Sequence, residues 1–189
     1  MYENAEHRGA LMAEKPGWTG RFFEDFEVGD LYKHPLGRTI TENDNTWFTL
    51  LTMNTSQTHF NKAYASRSEF GQPLVVSTLT IAVAVGQSVT DLTQNAFANL
   101  GWDEIRMTKP VFSGDTMWSE SLVLDKRESS SRPHAGIVTV RTRSLNQRSE
   151  EVCSFKRTFY VYKRGAAQLE GIFPTGEVEL SLENEKRFG

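Results

Sequence analysis

Hydrophobic residues recur at helical spacing in the segment that follows Thr41. The phrase Thr41–Asp44 places a hydroxyl residue three positions before an acid, which is typical of a capped helix start. The apolar residues that come after it are Trp47, Phe48, Leu50 and Leu51. The pattern predicts a helix that starts at Thr41 and ends before Asn54.

A second helix is predicted to begin at Ser77 or Thr78, either of which can serve as its N-cap. Its apolar residues occupy nearly every face of the helix: Leu79, Ile81, Ala82, Val83, Ala84 and Val85. A helix without a polar face is buried, so we expect other parts of the fold to wrap it on most sides. Between the two helices, residues 61–70 predict a short helix that stops at Gly71.

The second half of the chain has the composition of β-strands. Four segments rich in β-branched and aromatic residues are separated by turn signals: residues 102–107, 116–124, 137–145 and 152–162. Before the first helix, the turn Val28–Asp30 leads into an extended run over residues 31–40. In the last strand, alternation places four apolar residues on one face: Cys153, Phe155, Phe159 and Val161. One hydrophobic helix and a block of antiparallel strands predict the α+β class.

The chain is long enough for one domain with a substantial core, since it has 189 residues of which 38% are hydrophobic. We predict a folded domain over residues 21–164, a polar N-terminal arm over residues 1–20 and a C-terminal extension over residues 165–189. The first residues lack the apolar run of a signal peptide. The uncharged stretch over residues 72–90 is broken by polar residues, so it predicts an interior helix and not a membrane span. We therefore expect a cytoplasmic protein without membrane contact.

Charge and composition argue against several functions. The net charge is −3, from 21 basic and 24 acidic residues, so no nucleic-acid partner is expected. Cys153 is the single cysteine and lies in an alternating apolar run, which predicts a buried thiol. The histidines His7, His34 and His134 are scattered without neighbouring ligands, and the sequence has no Gly-rich phosphate loop. Neither a metal site nor a nucleotide cofactor is predicted.

The segment Asn54–His59 holds the residues best suited to handle water. It follows the predicted helix end directly, where polar side chains can face a cleft. Together with the Phe60-Asn61 that comes next, it resembles the hydration site of the MaoC-like dehydratases, also called (R)-specific enoyl-CoA hydratases. That family carries an Asp at the first place and a His five residues on. Here the two places hold Asn54 and His59.

Further phrases carry the same resemblance, which covers about residues 20–163: Val28–Asp30, Pro110–Thr116 and Leu145–Gln147. The phrase Asn95–Trp102 is similar to one branch of the family. That branch acts on branched or dicarboxylic C4 to C5 acyl-CoAs, such as mesaconyl-CoA or itaconyl-CoA.

The resemblance implies a single hot-dog fold, in which an antiparallel sheet wraps a central hydrophobic helix. It implies a hydratase or dehydratase that acts on an enoyl-CoA or 3-hydroxyacyl-CoA. Coenzyme A would be part of the substrate, with no metal or redox cofactor. Family members with one such domain generally pair, so the resemblance also implies a homodimer, or an assembly of dimers, with the acyl tunnel between subunits.

The resemblance assigns roles to five residues. His59 is the candidate for proton transfer, because imidazole titrates near neutrality. Asn54 can orient a water, although an amide cannot take a proton at neutral pH. Ser56 stands where the family commonly has Asn and can hydrogen-bond the substrate. Ser77 and Thr78 stand where the family often has a His-Gly pair, and free N–H groups at this helix start can hold the thioester oxygen.

Structural roles are the alternative for these residues: a loop histidine bonded to the backbone, a turn-forming asparagine and ordinary helix caps. Two other functions stay open. A hot-dog thioesterase needs a carboxylate at the central helix, and the nearby Asp44 and Glu69 do not fall at its start. A non-catalytic acyl-binding protein fits the Asn at the family's Asp position.

Overall fold

The computed structural model describes residue 15, residues 17–166, residue 174 and residues 176–187. The contacts separate a compact unit, Gly20–Ala167, from a second unit made of the terminal segments. The second unit contains the 3-10 helix Glu185–Arg187. Much of the predicted arm and of the predicted C-terminal extension lies outside the described residues, so the predicted domain limits stay predictions.

Helical elements occupy the first half of the compact unit. In chain order they are the 3-10 turn Phe23–Asp25, α1 (Glu42–Leu51), the 3-10 turn Gln57–His59, α2 (Lys62–Ala65), α3 (Ser77–Ser88) and the π-turn Val89–Thr93. The start of α1 is confirmed. Thr41 Oγ1 accepts the N–H of Asp44 at 3.2 Å, and Asp44 Oδ2 accepts the N–H of Thr41 at 2.7 Å. These two bonds form a reciprocal capping box.

Six strands of the described chain form one antiparallel sheet. They are β1 (Leu31–Lys33), β2 (Arg38–Thr39), β3 (Ala96–Met107), β4 (Thr116–Glu128), β5 (Ala135–Asn146) and β6 (Glu151–Tyr162). The hydrogen-bonded order is β1-β4-β5-β6-β3, and β2 also pairs with β4. The four strands predicted for the second half are confirmed as β3 to β6, although β3 begins at Ala96 and not at residue 102.

Helix α3 packs on one face of this sheet. Ala84 contacts Cys153 and Phe155 of β6, and Leu79 belongs to a cluster with Val152. Cys153, Phe155 and Val152 are fully buried. An antiparallel sheet with a hydrophobic helix along one face confirms the predicted α+β class and has the layers of the predicted hot-dog fold.

The described residues leave one side of α3 uncovered. Thr78, Ala82 and Gly86 lie four residues apart, and all three are exposed. The buried residues of the helix are Leu79, Thr80, Ala84 and Ser88, and the last three lie on the opposite side. Most residues of α3 are buried or half-buried, as expected for a helix that the fold wraps on most sides, and the exposed side is the exception.

Strand β3 lies at an edge of the sheet. It pairs with β6 on one side, and no described strand pairs with it on the other. None of its residues is buried, and four of its large apolar side chains are exposed: Leu100, Trp102, Ile105 and Met107. A long apolar edge of this kind is a template for pairing with another chain.

Two shorter elements differ from prediction. The extended run over residues 31–40 is split into β1 and β2, because Pro35 between them has no N–H to give to a strand ladder. The helix predicted over residues 61–70 is limited to α2. The hydroxyls of Ser66 and Ser68 bond the carbonyls three residues before them, an arrangement that competes with helix continuation.

Among the described residues, none of the helices combines the length and the apolar character needed to cross a membrane.

Candidate active site

A Schellman motif ends α1 and places Asn54 directly after the helix. The N–H of Met53 donates to the carbonyl of Leu50 at 3.3 Å, and the N–H of Asn54 donates to the carbonyl of Thr49 at 2.9 Å. Met53 has φ 55°, in the left-handed region that glycine usually occupies at this position. The helix end thus fixes the direction in which the chain enters the Asn54–His59 loop.

An Asx turn begins the loop. Asn54 Oδ1 accepts the N–H of Ser56 at 3.0 Å, and the carbonyl of Ser56 accepts the N–H of His59 at 3.2 Å. Asn54 is half-buried and Ser56 is exposed. Asn54 and His59 both belong to the described residues, and no hydrogen bond joins the Asn54 side chain to the His59 ring. The loop backbone links the two residues.

The His59 ring is held by a main-chain carbonyl. Its Nδ1 lies 2.8 Å from the carbonyl oxygen of Leu74, and the residue is half-buried. A carbonyl oxygen only accepts hydrogen bonds, so Nδ1 carries the proton. In the neutral ring, Nε2 is then an unprotonated acceptor. This is the tautomer that a general base acting through Nε2 requires.

Asn45 of α1 connects the loop to the segment before α3. It is 2% exposed. Its Nδ2 donates to the carbonyls of His59 at 2.7 Å and Leu74 at 3.1 Å, and its Oδ1 accepts the N–H of Val76 at 2.9 Å. The sequence reasoning missed this residue. No local sequence signal marks it, because its burial beside Thr49 and its need for partners there become visible only in the fold.

The first turn of α3 has free backbone donors. Val76 is the N-cap residue and gives no side-chain cap, so the prediction that Ser77 or Thr78 caps the helix is wrong. The carbonyl of Val76 accepts the N–H groups of Leu79 and Thr80 at 2.9 and 3.2 Å. The N–H groups of Ser77 and Thr78 find no acceptor among the described residues, as is usual for a first helical turn. Both residues are exposed, so an external acceptor can reach them.

Two clefts flank the chain at Pro73 and Leu74. The smaller has a volume of about 30 Å³, enough for a water, and is lined in part by Pro73, Asn45 and His59. The larger has a volume of about 190 Å³. Its lining is mostly apolar and includes Leu74, Ser77, Thr80 and Lys109 among its residues.

The predicted site residues thus fall into two groups. His59 and the start of α3 are brought together through the main chain of residues 74–76 and the Asn45 side chain. Asn54 and Ser56 lie at the beginning of the loop, where the Asn54 side chain accepts the N–H of Ser56 and the carbonyl of Ser56 accepts the N–H of His59. The roles assigned to these residues stay predictions.

A second histidine, His34, lies in a Ser-His-Asp arrangement. Its Nδ1 is 2.7 Å from Asp91 Oδ2 and its Nε2 is 3.0 Å from Ser121 Oγ, distances that a hydrolytic triad also shows. Ser121, however, is 0% exposed and also hydrogen-bonds Thr142 at 2.8 Å. A nucleophile must reach its substrate, so this arrangement is a structural link between the end of β1 and the π-turn after α3.

The thiol of Cys153 is buried, as predicted. Burial raises its pKa to about 11, so the group is protonated and unreactive at neutral pH. The part of the chain that the structure describes contains no group of three or more histidine, cysteine or acidic side chains arranged to hold a metal.

Comparison with known proteins relates the chain to hydratases and dehydratases of CoA thioesters. The sequence profile of the mesaconyl-CoA hydratase family matches residues 7–186. A mesaconyl-CoA hydratase from Cereibacter sphaeroides is 36% identical over 148 residues, which cover 78% of this chain and 43% of that protein. A β-methylmalyl-CoA dehydratase from Chloroflexus aurantiacus is 32% identical over 145 residues, which cover 77% of this chain and 41% of that protein. The chain spans less than half the length of these curated relatives.

A solved structure gives the same relationship in three dimensions. It is a putative MaoC domain protein dehydratase from Chloroflexus aurantiacus, with a TM-score of 0.76 and 29% sequence identity. The superposition covers 89% of this chain and 46% of that one.

Proposed function

We propose that this chain, which belongs to the mesaconyl-CoA hydratase family, adds water to an enoyl-CoA thioester or removes it from the corresponding 3-hydroxyacyl-CoA. The observation that carries the proposal is the state of His59. Its Nδ1–H is bound to the Leu74 carbonyl, which leaves Nε2 as the base, and His59 is among the residues that line a water-sized cleft. The same short segment leads into a helix start with two free N–H groups.

The chemistry needs a base for water and a donor for the enolate. In the hydration direction, Nε2 of His59 takes a proton from water as the water oxygen bonds to the β-carbon. The π electrons of the double bond move to the thioester oxygen and form an enolate, which accepts hydrogen bonds from the N–H groups of Ser77 and Thr78. The imidazolium then gives its proton to the α-carbon. One water has been added, and His59 is neutral again.

Asn54 has the task of orienting the water. Its Oδ1 already accepts the N–H of Ser56, which holds the side chain in the Asx turn. The amide keeps two N–H donors and a second lone pair on Oδ1 for a water. Ser56 is exposed at the beginning of the loop, where we propose that its hydroxyl contacts the substrate.

The acyl group that we propose is short and branched or dicarboxylic. Family membership supports this class, and a cleft of about 190 Å³ is consistent with a short chain. Lys109 is among the residues that line the cleft, and a positive charge there favours an acyl group with a free carboxylate. Coenzyme A enters as part of the substrate, and the steps above use no cofactor.

A second copy of the chain is the partner that we propose for the edge strand β3. The exposed apolar side chains of β3 and the uncovered side of α3 both need cover, and pairing of two β3 strands would join the two sheets. The acyl tunnel would then lie between the two copies. The cytoplasmic location stays a prediction from the sequence.

The test is an assay of the purified protein with crotonyl-CoA and mesaconyl-CoA. Loss of enoyl absorbance without release of free thiol would show hydration. Absorbance loss matched by thiol release would instead identify a thioesterase, and tight acyl-CoA binding without turnover would identify a non-catalytic binder.

His59→Ala should lower kcat by about two orders of magnitude or more, the usual scale for general acid-base catalysis, while KM changes little. His134→Ala replaces an exposed histidine that lines neither cleft and should keep the parent rate. Near-normal turnover in folded His59→Ala would remove His59 from the mechanism.

A further inference from the structure

We infer that Asn45 is a positioning residue that fixes the base, His59, relative to the N–H donors at the start of α3. This inference rests on the proposed function. Asn45 does not line the larger cleft, and its three hydrogen bonds all go to main-chain atoms. Two of these atoms belong to His59 and to Leu74, which orients the His59 ring. The third is the N–H of Val76, the N-cap residue of α3.

The orientation of the Asn45 amide is fixed by the chemistry of its partners. Both groups beside Nδ2 are carbonyls, which can only accept, and the group beside Oδ1 is an N–H, which can only donate. Rotating the amide by 180° would break all three bonds. The side chain is 2% exposed, so water cannot readily replace them.

The first consequence concerns the His59 ring. The Leu74 carbonyl oxygen has two lone pairs, and it accepts from Asn45 Nδ2 at 3.1 Å and from His59 Nδ1 at 2.8 Å. The second N–H of the same amide holds the main-chain carbonyl of His59. Asn45 therefore ties both the backbone of His59 and the acceptor of its ring to α1. This fixes the direction in which Nε2 points.

The second consequence concerns the start of α3. Without Asn45, the Val76 N–H would be a further donor at this helix start. With Oδ1 bound to it at 2.9 Å, the free donors are those of Ser77 and Thr78. The same side chain thus sets the position of the helix start and the choice of amides that face the thioester oxygen. A displacement of about 1 Å between such groups can cost up to ~100-fold in rate.

The experiment compares Asn45→Ala and Asn45→Asp with Thr49→Val. Thr49 is also 2% exposed, lies one turn further along α1 and bonds only the carbonyl of Thr46 within its own helix. All three variants lose hydrogen bonds from buried groups, but Thr49→Val leaves the three site contacts intact. It therefore reports the effect of destabilising α1 alone.

We expect kcat to fall about 10- to 100-fold in Asn45→Ala while KM stays within about threefold of the parent. Asn45→Asp keeps the acceptor for the Val76 N–H but lacks both donors, so it should lose at least as much. Thr49→Val should keep kcat within about threefold. Thermal melting of each variant shows that it is folded.

A second readout does not depend on turnover. The ¹⁵N spectrum of the imidazoles should show His59 of the parent as the Nδ1–H tautomer, and the two Asn45 variants should shift that signal while Thr49→Val does not. This readout still decides the positioning role if no hydratase activity is found, and in that case only the proposed function fails.

Three results would overturn the inference. One is a parent His59 in the Nε2–H tautomer, which needs no variant to fold. Another is a folded Asn45→Ala with parent kcat and an unshifted His59 signal. The third is an equal loss of kcat in Thr49→Val, which would reduce Asn45 to a contributor to helix stability.

Discussion

His59 and Asn54 differ in the chemistry they can supply to a water molecule. An imidazole can take and return a proton near neutral pH, whereas an amide can only donate and accept hydrogen bonds. The proposed reaction therefore has one proton-transferring group at this loop. This division is testable at position 54, because exchanging the amide for a carboxylate changes the charge and very little else.

We expect Asn54→Ala to lower kcat about tenfold, the scale of one lost hydrogen bond to a positioned water. Asn54→Asp should stay active and add a group that must be ionised to act as a base. The acid side of its kcat/KM profile should then be steeper than that of the parent, because activity falls as the new carboxyl is protonated.

Thr55→Ala, at the exposed neighbour in the same loop, is the matched control and should show the parent profile. If Asn54→Ala hydrates the substrate at the parent rate, residue 54 does not touch the reacting water.

Sequence reasoning reached these residues to different degrees. His59 and Asn54 could be named because their spacing of five residues is visible in the chain. The Leu74 carbonyl that sets the His59 tautomer lies 15 residues away, and the partners of Asn45 lie 14, 29 and 31 residues away. Local periodicity carries no information about such long-range pairing, so the tautomer and the role of Asn45 required the fold.

At the scale of elements, the start of α3 shows why a local rule failed. Ser77 and Thr78 are good capping residues, but tertiary contacts already fix the chain that enters the helix. Leu74 forms a bridge with Phe112, and the N–H of Val75 donates to the carbonyl of Val111 at 2.9 Å. The helix therefore begins without a side-chain cap. The strands of the second half were predicted well because their alternating pattern is local and long.

The turn before β4 supports this entry to α3, and Asp115 holds the turn. Asp115 is 6% exposed. Burial alone would raise the pKa of its carboxyl, but hydrogen bonds from Gln147 at 2.7 Å, the N–H of Phe112 at 3.0 Å and Arg148 at 3.1 Å give a net lowering. The folded pKa therefore lies below the unfolded one. The stabilisation is present above the unfolded carboxyl pKa and is lost as the pH falls through the folded pKa.

We expect Asp115→Asn to lower the free energy of unfolding by about 1–3 kcal/mol at neutral pH, the cost of disrupting a buried hydrogen-bonded carboxylate. The variant should also lose less stability than the parent between neutral and acid pH, because the titrating group is gone. Urea unfolding at several pH values measures both effects. Asp125→Asn, at an exposed carboxylate of β4, should change neither. Equal acid sensitivity in the parent and in Asp115→Asn would show that Asp115 does not cause it.

At the scale of the whole molecule, the hydrophobic pattern of α3 predicts a helix buried on all sides, but one side of the helix is exposed. The pattern is apolar on nearly every face, yet the described residues leave the side of Thr78, Ala82 and Gly86 exposed. The curated relatives are more than twice as long as the matched part of this chain. A helix that is hydrophobic all round indicates burial. The described residues do not supply this cover, and we propose that a second copy does, a contact that the pattern of one chain does not reveal.

If a second copy supplies that cover at β3, like charges on the strand should separate the copies. The parent should sediment at micromolar concentration with at least twice the chain mass of 21.4 kDa. The double variant Leu100→Lys/Ile105→Lys places two charges at exposed edge positions, where they would lie close to the same charges of the partner. It should sediment with the mass of one chain and lose hydratase activity, because the tunnel is then incomplete.

The matched control for that variant is Val28→Lys/Leu36→Lys. It makes the same change of charge at two exposed apolar residues that flank β1, the strand at the opposite edge of the sheet. It should keep both the mass and the activity of the parent. Loss of the dimer and loss of activity should occur together, since a tunnel between copies cannot work in a monomer. A parent that sediments as a single chain and hydrates its substrate would therefore contradict the shared tunnel, and the exposed side of α3 would then face solvent during turnover.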